Sequence, residues 1–235
     1  MSLLELERVG LRARDGQRER VVLGEVTLGV GSAETVGVWG ARRSGRTSLL
    51  RVAAGIQAPD SGTVRFEGRD LADARYGALG QGIGYVTTTL RGGEEQRVIE
   101  QVAAGLLARG VAVDEARGRA RDALASAGAR ECAARRVCEL AGGEVLRVAI
   151  ARALALSPAL ILVDEPTAGV GLGEREGILA LFRSLAGQGT AVLAALSEPD
   201  ELAGFHRALT LTDGELRGRG SPELAPVVAL RRRSV

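Results

Sequence analysis

The chain has 235 residues, of which 46% are hydrophobic, and a formal net charge of +2 at pH 7. This length allows a substantial core, and the composition is that of an ordinary folded protein, which excludes a disordered chain. The small net charge gives no indication of a polyanionic partner such as nucleic acid.

The N-terminus and the cysteines indicate the compartment. Residues 1–5 lack a basic segment followed by an apolar one, so we predict no signal peptide. No apolar run approaches the ~18 residues of a membrane span. Cys132 and Cys138 have a spacing that matches no common zinc or redox motif, so free thiols are expected. We therefore predict a soluble, cytoplasmic chain.

The first part of the chain is predicted to be rich in strands. Alternating apolar and polar residues, or short apolar runs bounded by turns, indicate strands at residues 3–9, 20–30, 35–39, 63–67 and 83–87. A polar turn at Asp15 and Gly16 separates the first two, which is typical of a hairpin.

The pattern changes to helix from about residue 94 to 136, where apolar residues recur at helical spacing among many charges. Beyond it we predict helices after residue 143 and around 178–185, and strands at 159–164, 190–195 and 208–212. The tail from Arg217 is rich in Gly, Pro and Arg and is predicted to be loose. Strands alternating with helices predict an α/β fold with a mostly parallel sheet and a helical insertion.

One loop carries the strongest functional signal. Gly40-Ala41-Arg42-Arg43-Ser44-Gly45-Arg46-Thr47 has the spacing of a phosphate-binding P-loop, G-x-x-x-x-G-K-[ST], with arginine in place of lysine. In such a loop, backbone N–H groups converge on phosphate oxygens, the next helix presents its positive end, and a hydroxyl reaches Mg²⁺. A glycine turn before an ordinary helix is the alternative. The predicted cofactor-binding residues are Gly40, Arg42, Arg43, Ser44, Gly45, Arg46, Thr47 and Ser48.

Two adjacent acids follow the buried strand at 159–164. Asp164 ends the strand, where a carboxylate could hold Mg²⁺ together with Thr47, and Glu165 could act on an attacking water as the catalytic base. A strand that ends in a solvated acid pair is the alternative, and the P-loop upstream weakens it.

Three segments together resemble the signature and Walker B region of ABC-type ATPases. They are Leu140-Ala141-Gly142-Gly143-Glu144, Arg147-Val148-Ala149-Ile150-Ala151-Arg152-Ala153-Leu154 and Asp164-Glu165-Pro166-Thr167-Ala168-Gly169. The resemblance extends over residues 3–216. It implies a RecA-like P-loop NTPase core, an N-terminal antiparallel β subdomain and a helical subdomain inserted at about 90–155. The whole nucleotide-binding domain would span 1–216, with a loose tail at 217–235.

The resemblance also implies partners and cofactors. ATP and Mg²⁺ would lie in a sandwich dimer, between the P-loop of one chain and Ala141, Gly142 and Gly143 of the other. The dimer would be a homodimer or a heterodimer with another ABC ATPase. It would attach to a membrane permease on the inner face of the cell membrane, with no nucleic-acid partner. The short linker after the P-loop helix and the compact size resemble exporters of the lipoprotein and macrolide kind.

Several positions depart from the family pattern around the phosphates. Lysine is replaced by Arg46, and the two are not interchangeable at such a site. Arg43 replaces a mid-loop glycine, at a position where an unusual φ is expected. Ala141 replaces the signature serine, and Glu144 replaces a glutamine and is expected to bring a negative charge near the phosphate.

Other departures from the family pattern lie at positions that act on the attacking water, the adenine base and the partner chain. The Q-loop glutamine is Thr88, no histidine occurs at residues 196–198, and Gly171 replaces the D-loop aspartate. His206 is expected to have a structural role instead. Trp39 is the first aromatic residue, so the ring that stacks on adenine is absent and Arg12 or Arg14 is expected to stack in its place.

These features lead to two functional interpretations. The first is an ATP-binding subunit of an ABC transporter that binds ATP and hydrolyses it weakly. The alternative is a catalytically impaired structural or regulatory partner of a competent ABC ATPase. A soluble protein that acts on nucleic acid is disfavoured, because such chains usually carry two cassettes.

Overall fold

The computed structural model describes residues 2–15, 18–73, 82–87, 93–168 and 170–218. Within them the strands are β1 (Ser2–Asp15), β2 (Arg18–Gly31), β3 (Thr35–Trp39), β4 (Ser61–Phe66), β5 (Arg69–Asp70), β6 (Ile83–Thr87), β7 (Leu160–Asp164), β8 (Ala191–Leu196), β9 (Arg207–Thr212) and β10 (Glu215–Gly218). The α-helices are α1 (Arg46–Ala53), α2 (Val98–Leu107), α3 (Val113–Ser126), α4 (Gly142–Leu154) and α5 (Leu172–Gly187). No described helix is long and apolar enough to cross a membrane.

The strands form two sheets. The larger sheet has the order β10-β9-β3-β8-β7-β6, in which the neighbouring strands from β9 to β6 are parallel and β10 is antiparallel to β9. The smaller sheet, β2-β1-β4-β5, is antiparallel throughout. The predicted α/β fold, with a mostly parallel core and an N-terminal antiparallel sheet, is confirmed.

The parallel sheet separates two hydrophobic cores. Successive side chains of a strand point to opposite faces, so Leu160 and Leu162 pack toward the antiparallel sheet and α1, whereas Ile161 and Val163 pack toward the remaining helices. All four are fully buried. Burial on both faces explains why this strand reads as a continuous apolar run in the sequence.

The β1–β2 hairpin is longer than predicted. The two strands continue to Asp15 and from Arg18, where Arg12 pairs with Val21 and Ala13 with Arg20. Arg12, Ala13, Arg20 and Val21 are all exposed, so this end of the hairpin carries no apolar alternation that would reveal it.

Three helices lie within the span of about 90–155 predicted for the helical insertion. Small residues such as Ala103, Ala116 and Ala120 are fully buried between them, which allows close helix packing. The apolar residues at helical spacing in this region include Val113, which is nevertheless 51% exposed because it is the first residue of α3. The division of the chain into a helical subdomain and a core stays a prediction.

The loose tail was predicted to start at Arg217, which is too early in the chain. Arg217 and Gly218 belong to β10, where they pair with Thr210 and Leu209 of β9. The turn at Asp213 and Gly214 is therefore a hairpin turn, and the four-residue strand after it was too short to predict. The rest of the predicted tail, residues 219–235, lies outside the described residues.

Candidate functional site

The loop between β3 and α1 has the backbone shape that its glycines require. Gly45 immediately precedes α1 with φ +104°, and a Cβ there would lie 2.7 Å from the carbonyl oxygen of Val22. A Cβ at Gly40 would lie 2.4 Å from the carbonyl oxygen of Leu211. Arg43 has φ +68°, so the unusual φ predicted for this position is present although the residue is not glycine.

Replacing Gly45 by alanine is expected to destabilise the fold and abolish nucleotide binding. The left-handed backbone alone costs about 1–2 kcal/mol for a residue with a Cβ. The clash with Val22 raises the total to about 3 kcal/mol or more. Chemical denaturation and nucleotide titration of the variant measure both effects.

Gly68→Ala is the matched control for this variant. Gly68 has φ +76° but a Cβ there would meet nothing within 4 Å, so this variant carries the backbone cost without the clash. Its expected cost is about 1–2 kcal/mol with binding unchanged. Equal losses of stability in the two variants would contradict the close approach of Val22 to the loop.

A cavity of about 400 Å³ lies over this loop. Its lining residues are Ala13, Arg20, Val22, Arg42, Arg43, Ser44, Gly45, Arg46, Thr47, Ser48 and Glu165. Four arginines and one acid make the cavity strongly positive. The cavity brings together the predicted residues 42–48 and Glu165. Its positive charge suits a polyanionic ligand.

Arg46, the residue in the usual lysine position, is deeply buried. Its side chain is 9% exposed, and its Nη2 donates a hydrogen bond to Glu165 Oε1 at 3.2 Å. Among the described residues, Arg46 Nη1 and the neighbouring Ser44 Oγ are buried without a hydrogen-bond partner. Buried polar atoms are nearly always paired, so these two atoms fit a ligand that brings oxygen acceptors.

Glu165 combines a strained backbone with an accessible carboxylate. Its φ is +48°, and its backbone N–H donates to the carbonyl oxygen of Ala195 at 3.0 Å. This conformation turns the chain at the end of β7 and directs the side chain to the cavity, where it is 45% exposed. A water molecule can therefore reach the carboxylate, as a general base requires.

Asp164 lies at the centre of a polar cluster between the loop and the sheet. Thr47 Oγ1 donates to Asp164 Oδ1 at 3.2 Å, and the Tyr85 hydroxyl donates to Oδ2 at 3.4 Å. Burial raises the pKa of Asp164, and the Thr47 hydrogen bond opposes this rise. Burial and the negative Asp164 raise the pKa of Tyr85 to about 12, so the phenol stays protonated and donates.

These oxygens fit a magnesium ion. A hydroxyl beside a carboxylate supplies hard oxygen ligands, and Mg²⁺ is usually held by one or two such groups with phosphate oxygens and water. When bound there, Mg²⁺ would neutralise charge on the phosphates, held by Thr47 and Asp164. The sequence did not single out Tyr85, since its approach to Asp164 comes from the pairing of β6 with β7.

The signature residues lie elsewhere. Ala141 precedes α4, and Gly142 and Gly143 begin it, but none of the three lines the cavity over the loop. The chain therefore does not bring its signature to its own P-loop. The expectation that the signature residues hold the phosphate of a second chain stays a prediction.

The carboxylate of Glu144 is engaged within its own chain. It accepts hydrogen bonds from the backbone N–H of Ala141 at 3.0 Å and from Arg135 Nη1 at 2.6 Å. The Ala141 hydrogen bond, followed by Arg135, lowers the pKa of Glu144. Arg135 therefore balances the charge of Glu144 and the carboxylate caps its own helix, while the expectation that Glu144 brings a negative charge near the phosphate stays a prediction.

The lowered pKa predicts a pH-dependent contribution of Glu144 to stability. An acid with a lowered folded-state pKa stabilises the fold above its unfolded pKa, and this effect is lost as pH falls. We expect Glu144→Ala to lower the free energy of unfolding at pH 7 by about 1 kcal/mol, the usual value of a lost cap. The difference should vanish well below about pH 4, the range where glutamate protonates.

Denaturant unfolding at pH 7 and pH 3 measures this difference. The exposed Glu176 of α5 provides the control variant Glu176→Gln, which should match the wild type at both pH values. A Glu144→Ala deficit that is the same at both pH values would contradict the capping role.

The remaining predicted positions have mixed outcomes. His206 Nδ1 accepts from the backbone N–H of Thr35 at 3.2 Å, and the His206 N–H donates to Thr35 Oγ1 at 3.0 Å, which is the structural role predicted. In the segment at 196–198, the Ser197 carbonyl accepts from Trp39 Nε1 at 3.2 Å. Gly171 precedes α5. Thr88 lies outside the described residues.

Arg12 does not lie where an adenine base could stack above the loop. It contacts Glu19 at 3.4 Å and lines a separate cavity with Asp60 and Val21. The described residues of this hairpin that line the cavity over the loop are Ala13, Arg20 and Val22. The prediction for Arg12 is therefore wrong, and the side chain of Arg14 lies outside the described residues.

The glycine loop between a parallel strand and a helix, with the Thr47–Asp164 pair beside it, defines the P-loop NTPase class. Residues 23–168 match the family model described as ABC transporter. The chain therefore belongs to the ABC transporter family of ATP-binding subunits.

Curated relatives and solved structures agree with this assignment. The lipoprotein-releasing system ATP-binding protein LolD of Chromohalobacter salexigens is 38% identical over 208 residues, which are 86% of this chain and 88% of the relative. The Fe(3+) ions import ATP-binding protein FbpC of Streptomyces coelicolor is 36% identical over 94% of this chain and 62% of its own length. The dimeric ATP-binding cassette MJ0796 bound to ADP and Pi superposes with a TM-score of 0.82 at 26% identity, covering 92% of this chain and 99% of that one.

Proposed function

We propose that this chain is the motor subunit of an ABC transporter, and that it binds ATP with Mg²⁺ at the loop of residues 40–48. One observation carries the proposal: the buried Arg46 faces the cavity with an unpartnered Nη1 beside the unpartnered Ser44 Oγ. Phosphate oxygens would satisfy both atoms, and the N-terminus of α1 adds its own preference for an anion.

The proposed assembly is a dimer, formed by two copies or with another ABC ATPase, which acts on a separate membrane permease. The signature residues Ala141, Gly142 and Gly143 lie outside their own chain's cavity and would complete the phosphate site of the partner. Such a chain works at the inner face of the membrane through its permease. The relatives named above include a subunit of a lipoprotein-releasing system and a subunit for Fe(3+) import, so the proposal assigns the motor and leaves the cargo open.

The proposed catalytic step is a slow hydrolysis. Glu165 would accept the proton of the attacking water, while Arg46 and the loop N–H groups stabilise negative charge on the phosphate. The rate is expected to be low because one oxygen of Glu165 is held by Arg46, and because residues 196–198 and Ala141 lack side chains that the family uses.

The second candidate is an impaired partner of a competent ABC ATPase, and the Arg46–Glu165 ion pair favours it. A base that is held by a guanidinium accepts a proton poorly, whereas binding of the nucleotide would survive. Initial rates of phosphate release by the purified chain separate the two candidates. Magnesium-dependent turnover above background supports the motor, and intact ATP binding with background turnover supports the impaired partner.

A further inference from the structure

Among the residues that the structure describes, no aromatic side chain lies on the wall of the cavity beside the P-loop. This wall is formed by Ala13 of β1 and by Arg20 and Val22 of β2, and Ala13 is paired directly with Arg20 across the hairpin. The next pair, Arg12 and Val21, faces the separate cavity on the other side of the sheet. A base attached to phosphates on the loop would meet the first pair and not the second.

The aromatic side chains of the chain are used elsewhere. The chain has one Trp, two Tyr and three Phe. The five that the structure describes are Trp39, which donates to Ser197; Phe66, which is in the core; Tyr85, which donates to Asp164; and Phe182 and Phe205, whose ring centroids lie 6.1 Å apart. Tyr76 lies outside the described residues. None of these five lines the cavity.

The charged groups of this cavity are mostly arginine side chains on or beside the loop. Arg20 is the charged side chain on the wall, and its Nη2 donates to the carbonyl oxygen of Arg43 at 3.0 Å, which ties it to the loop. Arg42, Arg43 and Arg46 add further positive charge along the loop. The described lining residues therefore include no Asn, Gln or aromatic side chain that could read the edge of a base, while four guanidinium groups line the same cavity.

We propose that this site recognises a nucleoside triphosphate through its phosphate chain and binds ATP, GTP, CTP and UTP with nearly equal affinity. This inference rests on the proposed function, because it places the phosphates on residues 40–48. Selectivity among bases comes from stacking and from hydrogen bonds to base edges. The described wall of Ala13, Arg20 and Val22 supplies no aromatic ring, and its one polar side chain, Arg20, is tied to the carbonyl oxygen of Arg43, whereas the arginine charges act equally on every triphosphate.

Competition against a fluorescent ATP analogue tests the proposal. The full chain is titrated at fixed Mg²⁺ and ionic strength with the four nucleoside triphosphates and with inorganic tripolyphosphate. We expect the four nucleotides to agree within about threefold and tripolyphosphate to bind within about tenfold of ATP. A preference for ATP of more than about tenfold over the other nucleotides would overturn the proposal. If neither the analogue nor tripolyphosphate binds, the proposed function itself fails.

A pair of variants tests where the base of the bound nucleotide lies. Ala13→Tyr places a ring on the cavity wall and is expected to tighten ATP and GTP by about fivefold to tenfold, with tripolyphosphate unchanged. Val21→Tyr puts the same ring on the opposite face of the hairpin, where Val21 is 53% exposed, and should change nothing. Thermal unfolding confirms that each variant is folded. Equal behaviour of the two variants would mean that the base does not lie on this wall, and the proposal would be wrong.

Discussion

Replacing Arg46 by lysine is expected to raise the rate of ATP hydrolysis by about 10²-fold. The guanidinium donates to Glu165 at 3.2 Å, and a lysine ammonium lacks the second nitrogen arm that allows one side chain to contact both Glu165 and a phosphate. The Glu165 carboxylate would be released from this contact, and the compact charge of lysine would hold the phosphate in its productive position. Displacement of a reacting group by about 1 Å costs ~10²-fold in rate, which sets the expected gain.

The control for this variant is Arg121→Lys, the same substitution at an exposed position of α3 that does not line the cavity. Its turnover should stay within about twofold of the wild type. Initial rates are compared at saturating Mg-ATP, and nucleotide titration shows whether binding is retained. An Arg46→Lys variant that is folded, binds ATP and hydrolyses it no faster than the wild type would show that the ion pair does not limit the reaction.

Replacing Glu165 by glutamine is expected to lower turnover by about 10²-fold or more while ATP still binds. General bases contribute about 10²–10⁴-fold, and glutamine cannot accept the proton. Its amide oxygen can still accept from Arg46, so the loop and the cavity should keep their shape. Because the ATP then persists, the variant should also form a stable dimer in ATP, which light scattering measures.

Glu198→Gln is the control for this second variant, since Glu198 is an exposed acid that does not line the cavity. It should behave like the wild type in turnover and in dimerisation. Turnover that survives in Glu165→Gln would place the base at another residue. The motor would then use a different acid at the end of β7 or from the partner chain.

The fold and the loop were predictable because their signals are local in the sequence. The spacing of Gly40, Gly45 and Thr47 determines where β3 ends and α1 begins, and the apolar run before Asp164 marks a strand buried on both faces. Each signal is contained in a dozen residues, so no knowledge of the register between strands was needed.

The cavity wall formed by β1 and β2 could not be predicted, because it depends on the register between two strands. β1 and β2 change register between Leu11 and Arg12, and a one-residue slip moves every side chain to the other face of a sheet. This is why Arg12 lies on the far side and Ala13 lies on the near side. The contacts of Tyr85 with Asp164 and of Arg135 with Glu144 likewise join residues that are far apart in the sequence or in separate elements. No periodic pattern in the sequence predicts them.

Thermal unfolding of the purified chain measures whether residues 40–48 hold ATP with Mg²⁺, as we claim. A ligand at one hundred times its dissociation constant stabilises the folded state by ~2.7 kcal/mol. For a chain of this size that predicts an increase in Tm of about 5–10 °C in millimolar Mg-ATP. The increase should disappear in Thr47→Val, which removes the hydroxyl beside Asp164. An unchanged Tm in wild-type protein at saturating Mg-ATP would contradict the claim.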